Sequence, residues 1–342
     1  MKKLKVAVVG TGWVSGEHMS AYIANPHCEL VAVCGRTRES AEKKLNEYGF
    51  KARIYTDLKE MLEKEEIDIV SICTPNNLHP EETIMCAEYK KHILIEKPVA
   101  LNEEDLNKMI SAVKKNKVKT LVSFVLHWNP LLMTIDKLLK DGIIGEIYYA
   151  EVDYFHGIGP WYKQYQWNVK KDIGGSSLLS AGCHALDALL WFMNKKAVEV
   201  FSYSTRSKNP DFKEYEYDPT SVTLIKFEDG TIGKVASSLD CKTPYIFNIE
   251  LFGSKGTIRN NNIYAPEKFP GQIGYITIPT ILPDSGDVRH HPFEGEVNHL
   301  VDCILNDKKP FPDLEDAAIT HKIIFKADQS AKEGKPIKLE NY

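Results

Sequence analysis

The sequence predicts an α/β amino-terminal domain built on a parallel sheet, followed by an α+β domain built on a mostly antiparallel sheet. Short apolar runs alternate with helical stretches up to about residue 124, whereas extended segments dominate after residue 125. The chain has 342 residues, more than a single hydrophobic core usually organises. We therefore expect two domains, residues 1–124 and residues 125–342.

The first half alternates buried-strand patterns with helical patterns. The strand patterns are Lys5–Val9, Leu30–Cys34, Arg53–Tyr55, Ile67–Cys73, His92–Glu96 and Thr120–Phe124. The helical patterns are a stretch that ends near Ala24, then Arg38–Tyr48, Leu58–Lys64, Pro80–Tyr89 and Glu103–Lys115. Strands separated by helices of about ten residues are typical of βαβ units, so we expect right-handed crossovers in a parallel sheet.

The second half begins with a helical stretch near Pro130–Leu139 and then becomes mostly extended. The extended segments are Ile147–Phe155, Val198–Ser204, Val222–Phe227, Thr231–Ser238, Phe247–Phe252, Thr257–Arg259 and Tyr275–Ile278. Glu228-Asp229-Gly230 is a hairpin turn signal between two of them, which favours antiparallel pairing. Further helices are predicted at Ser177–Met193, Glu294–Asn306 and Leu314–Lys332.

The composition is that of a globular protein from a reducing compartment. The net charge of −4 favours neither nucleic acid nor an acidic membrane as a partner. The seven cysteines include no C-x-x-C pair, which favours buried thiols over disulfides or a zinc site. No stretch approaches the roughly 20 apolar residues of a membrane span, and the amino terminus lacks the apolar core of a signal peptide. We expect a cytoplasmic protein without a metal.

A glycine-rich turn joins the first strand to the first helix, and it reads Gly10-Thr11-Gly12-Trp13-Val14-Ser15. The first glycine permits the tight turn, and the second lets the backbone approach a pyrophosphate at the helix N-terminus. Ser15 occupies the third position of the pattern and is small enough for close strand–helix packing. This context predicts a doubly wound Rossmann domain that binds a dinucleotide.

The end of the second strand bears on the choice of cofactor, because an acid there would bind the ribose 2′-hydroxyl of NAD. The sequence is Cys34-Gly35-Arg36-Thr37-Arg38, without a carboxylate. Arg36 and Arg38 suit a 2′-phosphate, which favours NADP. Alternatively, they are surface charges at the start of a helix, or Arg36 stacks on the adenine of NAD.

Three further motifs follow in order, and they are Cys73-Thr74-Pro75-Asn76-Asn77-Leu78-His79, Glu96-Lys97-Pro98, and Gly174-Gly175 followed by Gly182-Cys183-His184-Ala185-Leu186-Asp187. With the glycine turn and His18, they resemble the Gfo/Idh/MocA oxidoreductases, the relatives of glucose-fructose oxidoreductase and inositol dehydrogenase. The segment from Phe293 to Pro336 is also similar to the family's ending. The resemblance covers essentially the whole chain. It implies a large open sheet in the second domain, and a homo-dimer or homo-tetramer formed through that sheet.

The resemblance also implies roles for particular residues. Thr74, Pro75 and Asn76 would lie beside the cofactor ribose and nicotinamide, with His79 and Glu96 in the same cofactor site. Lys97 would face the substrate and the nicotinamide. His184 would project from the second domain across the same cleft.

The chemistry of these residue types agrees with the implied roles. Oxidation of a secondary alcohol needs a hydride acceptor and a base for the hydroxyl proton. Lys97 follows a strand, where open α/β sheets bind ligands, and His184 is a natural proton acceptor. Alternatively, Lys97 is a surface lysine and His184 a core histidine.

We therefore expect reversible oxidation of a sugar, cyclitol or glycoside hydroxyl to a ketone. A second hypothesis is a glycosidase or lyase that uses tightly bound NAD(H) for transient oxidation. A third is a non-catalytic regulator that senses the cofactor.

One position departs from the family pattern, which has Asp four residues before the histidine. Here that residue is Ser180, whose hydroxyl can bind a sugar but cannot stabilise an imidazolium by charge. Asp187 would supply a carboxylate to His184 on the same helix face, or it would only bind a backbone group.

An aromatic segment from Tyr154 to Trp167 precedes the Gly174-Gly175 motif and suits a sugar ring, although core or dimer interface is an alternative. The candidate substrate-binding residues are Lys97, His127, His156, Trp161, Lys171, Ser180 and His184. His290-His291 would reach the pocket or a neighbouring subunit.

Overall fold

The computed structural model describes residues 3–284 and 291–340. Contacts within the chain define two compact units, which are Met1–Val125 with Pro292–Ala318, and Leu126–His291 with Ile319–Tyr342. These units differ from the two continuous domains expected from the sequence. The reason is that a segment near the end of the chain packs against the first unit.

The first unit has six strands and five helices within the described part of residues 1–125. The strands are β1 (Leu4–Val9), β2 (Cys28–Cys34), β3 (Arg53–Tyr55), β4 (Ile69–Ile72), β5 (His92–Ile95) and β6 (Thr120–Val122). The helices are α1 (Ser15–Ala24), α2 (Arg38–Tyr48), α3 (Leu58–Lys64), α4 (His79–Glu88) and α5 (Glu103–Asn116).

The six strands form a parallel sheet in the order β3-β2-β1-β4-β5-β6. This order is that of the doubly wound Rossmann fold, so the predicted fold is confirmed. The residues of β4 are all buried, as expected for a parallel strand covered on both faces. The strand order reverses between β1 and β4, and such sheets bind ligands at this point, beyond the carboxyl ends of the strands.

The second unit contains a nine-stranded sheet. Its strands are β7 (Ile147–Phe155), β8 (Ala197–Thr205), β9 (Thr220–Phe227), β10 (Ile232–Ser238), β11 (Ile246–Gly253), β12 (Thr257–Arg259), β13 (Asn262–Tyr264), β14 (Ile276–Thr277) and β15 (Ile337–Lys338). The order is β14-β13-β12-β11-β7-β10-β9-β8-β15, and among these described strands only β7 and β10 pair in parallel. The predicted mostly antiparallel sheet is confirmed.

Four helices of the second unit precede or interrupt the sheet, and they are α6 (Pro130–Lys140), α7 (Tyr165–Asn168), α8 (Lys171–Gly174) and α9 (Cys183–Met193). Helix α9 is apolar on most of its surface and packs against β7 and β10. Its Leu189 lies where a side chain at Gly233 would stand, 2.9 Å from that Cβ position. The other face of the sheet is open, as the exposed Val222 and Leu224 show.

Helices α10 (Phe293–Leu305) and α11 (Leu314–Glu333) complete the described chain. Helix α10 packs against α1, where the Asn25 side-chain amide donates to Asn298 Oδ1 at 2.7 Å. The seven cysteines are free thiols, six of them buried. No helix within residues 3–284 and 291–340 is both long and apolar enough to cross a membrane.

Candidate active site

The glycine turn lies directly against the carboxyl end of β4. Gly10 has a φ of +100°, and a Cβ atom there would overlap the carbonyl of Cys73, so only glycine suits this position. Ser15 is fully buried, and its hydroxyl donates to the Gly12 carbonyl at 3.0 Å. A serine therefore replaces the third glycine without leaving a polar atom unsatisfied. The turn that precedes α1, in which Gly12 is exposed, is a cradle that fits a pyrophosphate.

The end of β2 leaves no room for a side chain. A Cβ atom at Gly35 would lie 2.9 Å from Thr11 Cγ2 and 3.1 Å from Ser40 Oγ. Thr11 and Ser40 are themselves joined by a hydroxyl–hydroxyl hydrogen bond of 3.2 Å. The side chains of Thr11 and Ser40 therefore occupy the space beside Gly35 at the end of β2, where an acid that binds the ribose of NAD typically stands.

The two arginines after Gly35 are both exposed. Arg38 Nη2 donates to the Ile54 carbonyl at 3.4 Å, and its Nη1 lies 3.8 Å from Glu42 Oε1. Arg38 is therefore already engaged at the start of α2, whereas Arg36 projects from the exposed turn.

Glu82 is an acid that the sequence did not single out. Its carboxylate accepts a hydrogen bond of 2.5 Å from the Thr74 hydroxyl. Burial raises the pKa of Glu82 to about 7, and the Thr74 bond opposes that shift. Its charge, with that of Asp57, also helps to raise the pKa of Cys34, after burial as the main cause. Two acids therefore lie near the end of β2, although neither is in β2 itself.

His79 joins the two loops that the sequence assigned to the cofactor. Its ring is fully buried, with Nδ1 at 2.8 Å from the Pro98 carbonyl and Nε2 at 2.9 Å from the Thr74 carbonyl. Burial lowers its pKa, although both carbonyl contacts favour the protonated form. The structure therefore places His79 beneath the loops, where it holds the Thr74 and Lys97 segments together. The buried Asn76 follows on the first of these loops.

Lys97 follows β5 and is half-buried, and its peptide bond to Pro98 is cis. Its backbone N–H donates to Glu96 Oε2 at 3.2 Å. The predicted cofactor residue Glu96 is only 7% exposed, and its carboxylate is directed to other protein groups. The Glu96 side chain therefore anchors the Lys97 loop from within the protein.

Five buried polar side chains form what we call the acid–histidine cluster, and they are His18, Ser71, Glu96, Ser123 and Glu296. His18 Nδ1 lies 2.7 Å from Ser71 Oγ, and its Nε2 lies 3.0 Å from Glu96 Oε1 and 3.8 Å from Glu296 Oε1. The Ser123 hydroxyl is 3.1 Å from each oxygen of Glu296. Sequence reasoning missed Ser123 and Glu296, because nothing local links residues so far apart in the chain.

In the second unit, His184 lies in the first turn of α9 and is buried. The preceding π-helical turn, Leu178–Gly182, packs on β10, where a Cβ atom at Gly182 would lie 2.7 Å from Ser237 Cβ. Ser237 pairs with Tyr154, the second residue before His156. The structure therefore brings His184 and His156 to the same end of the sheet.

Ser180 is buried, and its hydroxyl donates to Asn168 Oδ1 at 2.7 Å. Tyr217 in turn donates to the Asn168 carbonyl at 2.8 Å. The hydroxyl that replaces the family's carboxylate is thus part of an internal network.

Asp187 differs from both roles considered for it in the sequence. Its Oδ2 lies 2.7 Å from His127 Nε2, and its Oδ1 accepts a hydrogen bond of 3.5 Å from Thr320. The His127 ring stacks on Trp191, with 4.2 Å between the ring centroids. The carboxylate is therefore paired with His127, because tertiary packing brings the 3₁₀ turn that carries His127 against α9.

The aromatic residues near β7 form a polar-aromatic wall. The His156 ring meets Tyr162 and Tyr245 edge-on at 5.3 and 5.6 Å. Trp161 is 59% exposed, with Lys242 Nζ 4.9 Å from its ring centroid. Lys171, at the start of α8, is exposed. His290 lies outside the described residues.

Together, the fold and the residues of this site define the class of protein. A glycine turn and the Lys97 loop lie at the carboxyl edge of one doubly wound sheet. This combination is typical of nicotinamide-dependent oxidoreductases. Residues 4–124 match the Gfo/Idh/MocA oxidoreductase family with NAD-binding Rossmann fold, and residues 132–259 match the Gfo/Idh/MocA C-terminal domain. The chain belongs to this family and is an NAD(P)-binding oxidoreductase, as its sequence predicted.

Relatives with assigned names match almost the full length. D-glucoside 3-dehydrogenase of Escherichia coli is 28% identical, over 98% of this chain and 97% of its own. scyllo-Inositol 2-dehydrogenase (NAD(+)) of Bacillus subtilis is 26% identical, over 99% and 97%. The crystal structure of an oxidoreductase domain protein from Kribbella flavida covers both chains completely, with 23% identity and a TM-score of 0.87, which shows the shared fold.

Proposed function

We propose that this oxidoreductase transfers a hydride between its nicotinamide cofactor and a secondary hydroxyl or ketone of a sugar, cyclitol or glycoside. The observation that carries the proposal is the position of Lys97, anchored by Glu96 on the sheet edge that also bears the glycine turn. The names of the glucoside and inositol dehydrogenases support the substrate class.

The chain's own residues would bind both reactants and move the proton. Bound NAD(P) would supply the hydride acceptor for oxidation or the hydride donor for reduction. In the oxidation, the carbon–hydrogen bond breaks with its electron pair, and the hydroxyl proton passes to the imidazole of His184. Lys97 donates a hydrogen bond to the substrate oxygen and stabilises the negative charge that develops there.

We also propose how the second unit contributes to binding. The exposed ring of Trp161 stacks on a sugar face, and Lys171 and His156 bind hydroxyl groups. Ser180 and His127 are bound to Asn168 and Asp187, so they orient the wall of the pocket.

For the cofactor, we propose a preference for NADP through Arg36, with Arg38 beside it. Support comes from the exposure of Arg36 and from the packing at Gly35, which excludes a carboxylate. In steady-state assays, Arg36→Ala would lower kcat/KM for NADP about tenfold and leave that for NAD within about twofold. A wild-type preference for NAD would overturn this choice.

The test of the function is a screen of sugars, cyclitols and glycosides with NAD and NADP, monitored by the absorbance of the reduced nicotinamide. Lys97→Ala and His184→Ala would each lower kcat with the best substrate by at least about a hundredfold. Unchanged activity in both variants would refute the assignment. Product formation without net reduction of the cofactor would support the bound-cofactor glycosidase instead.

We propose further that the open face of the second sheet joins copies of this chain into a dimer or tetramer. Tyr203, Val222, Leu224 and Ile232 on this sheet are between 42% and 65% exposed. An apolar surface of this kind is typical of an interface. Light scattering would show an oligomer for the wild type and a monomer for Leu224→Asp. The free thiols fit the cytoplasm as the expected location.

A further inference from the structure

The acid–histidine cluster contains more acid than base. Glu96 and Glu296 both approach the same ring nitrogen of His18, at 3.0 and 3.8 Å. If both acids were ionised, even a protonated His18 would leave one net negative charge in a site that is closed to water. Two carboxyl groups that share such a site ionise one at a time.

The contacts indicate which acid keeps the proton. Glu96 is the nearer partner of His18 and also accepts the Lys97 N–H, both of which favour its carboxylate form. Burial works to raise the pKa of Glu96, but the hydrogen bond and charge of His18 outweigh it and lower the pKa. Glu296 is fully buried and faces the single hydroxyl of Ser123, which can both donate and accept. Burial raises the pKa of Glu296 to about 8, and the charge of Glu96 adds to this against His18 and Ser123.

We propose that Glu296 is a positioning residue for Lys97, because its protonated side chain lets His18 pair with the Glu96 carboxylate that anchors the Lys97 loop. The inference rests on the proposed function, in which Lys97 binds the substrate oxygen. Glu296 Oε1 lies 3.8 Å from the His18 nitrogen that binds Glu96, and Glu96 in turn accepts the Lys97 N–H. Ionisation of Glu296 would place a second negative charge against Glu96 and weaken that anchor.

Other titratable groups also face the cluster from the elements packed around it, and they are Tyr22 on α1, Cys73 after β4 and Lys97 after β5. Burial holds the pKa of Tyr22 well above its usual value, so its phenol stays neutral. His18 has a raised pKa, because its interactions with Cys73 and Glu96 together outweigh burial, the largest single influence. His18 therefore stabilises the fold below its ordinary pKa and loses that contribution at higher pH.

The test uses three variants, Glu296→Gln, Glu296→Ala and Glu294→Gln. Glutamine keeps the shape of a neutral acid but cannot ionise, and alanine removes the contact. Glu294 is an exposed acid in the same turn of α10, so its glutamine variant is a matched control. The measurements are the melting temperature from about pH 5 to 9, and kcat and KM over the same range with the best substrate.

The pH dependence of the melting temperature tests whether Glu296 is protonated in the folded protein. Unfolded Glu296 ionises near 4.5, whereas the folded protein keeps it protonated up to about 8, so wild-type stability falls as pH rises between these values. Glu296→Gln removes this part of the fall, and Glu294→Gln keeps the wild-type curve. His18 is present in all these proteins, so the difference in pH dependence between Glu296→Gln and the wild type is due to Glu296. If melting temperature depended on pH in the same way in Glu296→Gln and in the wild type, the assignment of Glu296 as a neutral acid would be overturned.

The kinetics test the positioning. Glu296→Ala would lower kcat about ten- to a hundredfold at neutral pH and leave the cofactor KM within about twofold. Glu296→Gln would restore kcat to within about threefold of the wild type and lose the decline above about pH 8. Equal kcat values in the two Glu296 variants would overturn the role. If the alanine variant does not fold, the pH profile of Glu296→Gln decides alone.

Failure of this inference is distinguishable from failure of the proposed function. The melting curves need no substrate and report the cluster whatever the reaction is. An active Lys97→Ala variant refutes the function of Lys97, whereas a parallel Glu296→Gln melting curve refutes only the cluster.

Discussion

Two histidines are fully buried in the domain that carries the glycine turn, and their surroundings act on them in opposite directions. His79 faces two backbone carbonyls, and burial lowers its pKa. His18 is equally buried, but Cys73 and two acids surround it and its pKa is raised. Burial alone therefore does not decide the charge of a histidine. Backbone dipoles and ionised groups offset the cost of burying the charged ring to different extents.

The two histidines also serve the lysine loop in different ways. His79 holds the carbonyl of Pro98, next to Lys97, and His18 holds the carboxylate of Glu96, which binds the Lys97 N–H. Neutral His79 has one N–H and donates to one carbonyl at a time, whereas His18 is part of a charged network. Their loss would have different effects on stability and on its pH dependence.

The largest effect is expected for His18→Leu. The substitution leaves the Glu96 carboxylate buried without its histidine partner, and breaking such a buried pair costs about 3–5 kcal/mol of unfolding free energy. Urea denaturation at neutral pH measures this, with the exposed His27→Leu as the control. A loss below about 1 kcal/mol would show that His18 is not charged in the folded state.

A smaller effect is expected for His79→Leu, about 1–3 kcal/mol, because a buried carbonyl loses the N–H donor of the ring. Since the pKa of His79 is lowered, the wild type loses stability as pH falls below 6.5, where unfolded His79 binds a proton. The variant would lose this acid-side fall, and melting temperatures between about pH 5 and 7 would show it. An unchanged acid-side slope would contradict the assigned neutral state.

The smallest effect is expected for Phe293→Leu in α10. The Phe293 ring lies 4.9 Å from the His18 ring, and losing such a contact costs about 1 kcal/mol. No titratable group is removed, so the melting temperature would fall without a change in its pH dependence. A changed pH slope would mean that Phe293 controls the protonation of the acid–histidine cluster. It would contradict the expectation that Phe293 contributes packing and not charge.

Much of the fold could be predicted because its signals are local. The strand–helix alternation and the turn from Gly10 to Ser15 lie within short stretches of chain. The short strands β13 and β15 were missed, since two or three residues carry no measurable alternation. The return of Pro292–Ala318 to the first unit was also missed, because an amphipathic helix pattern does not name the surface on which it packs.

The candidate site was predictable in its residue types but not in its pairings. Glu96 and His79 were expected at the cofactor, and the structure directs their side chains to His18 and to two carbonyls. Asp187 was weighed as a partner for His184, and the structure pairs it with His127. The pairings of Glu96 with His18, of His79 with Pro98 and of Asp187 with His127 join residues 19 to 78 positions apart, so no spacing rule encodes them.

The sequence by itself determined the class of the protein, its Rossmann fold and the motifs that it shares with its family, since each depends on local pattern. Only the tertiary structure decided the electrostatic state of these residues. Packing brings Glu296 to the same histidine nitrogen as Glu96, which is distant in the chain, and burial keeps the proton on Glu296. Charge states arise from distance and desolvation, which exist only once the chain is folded.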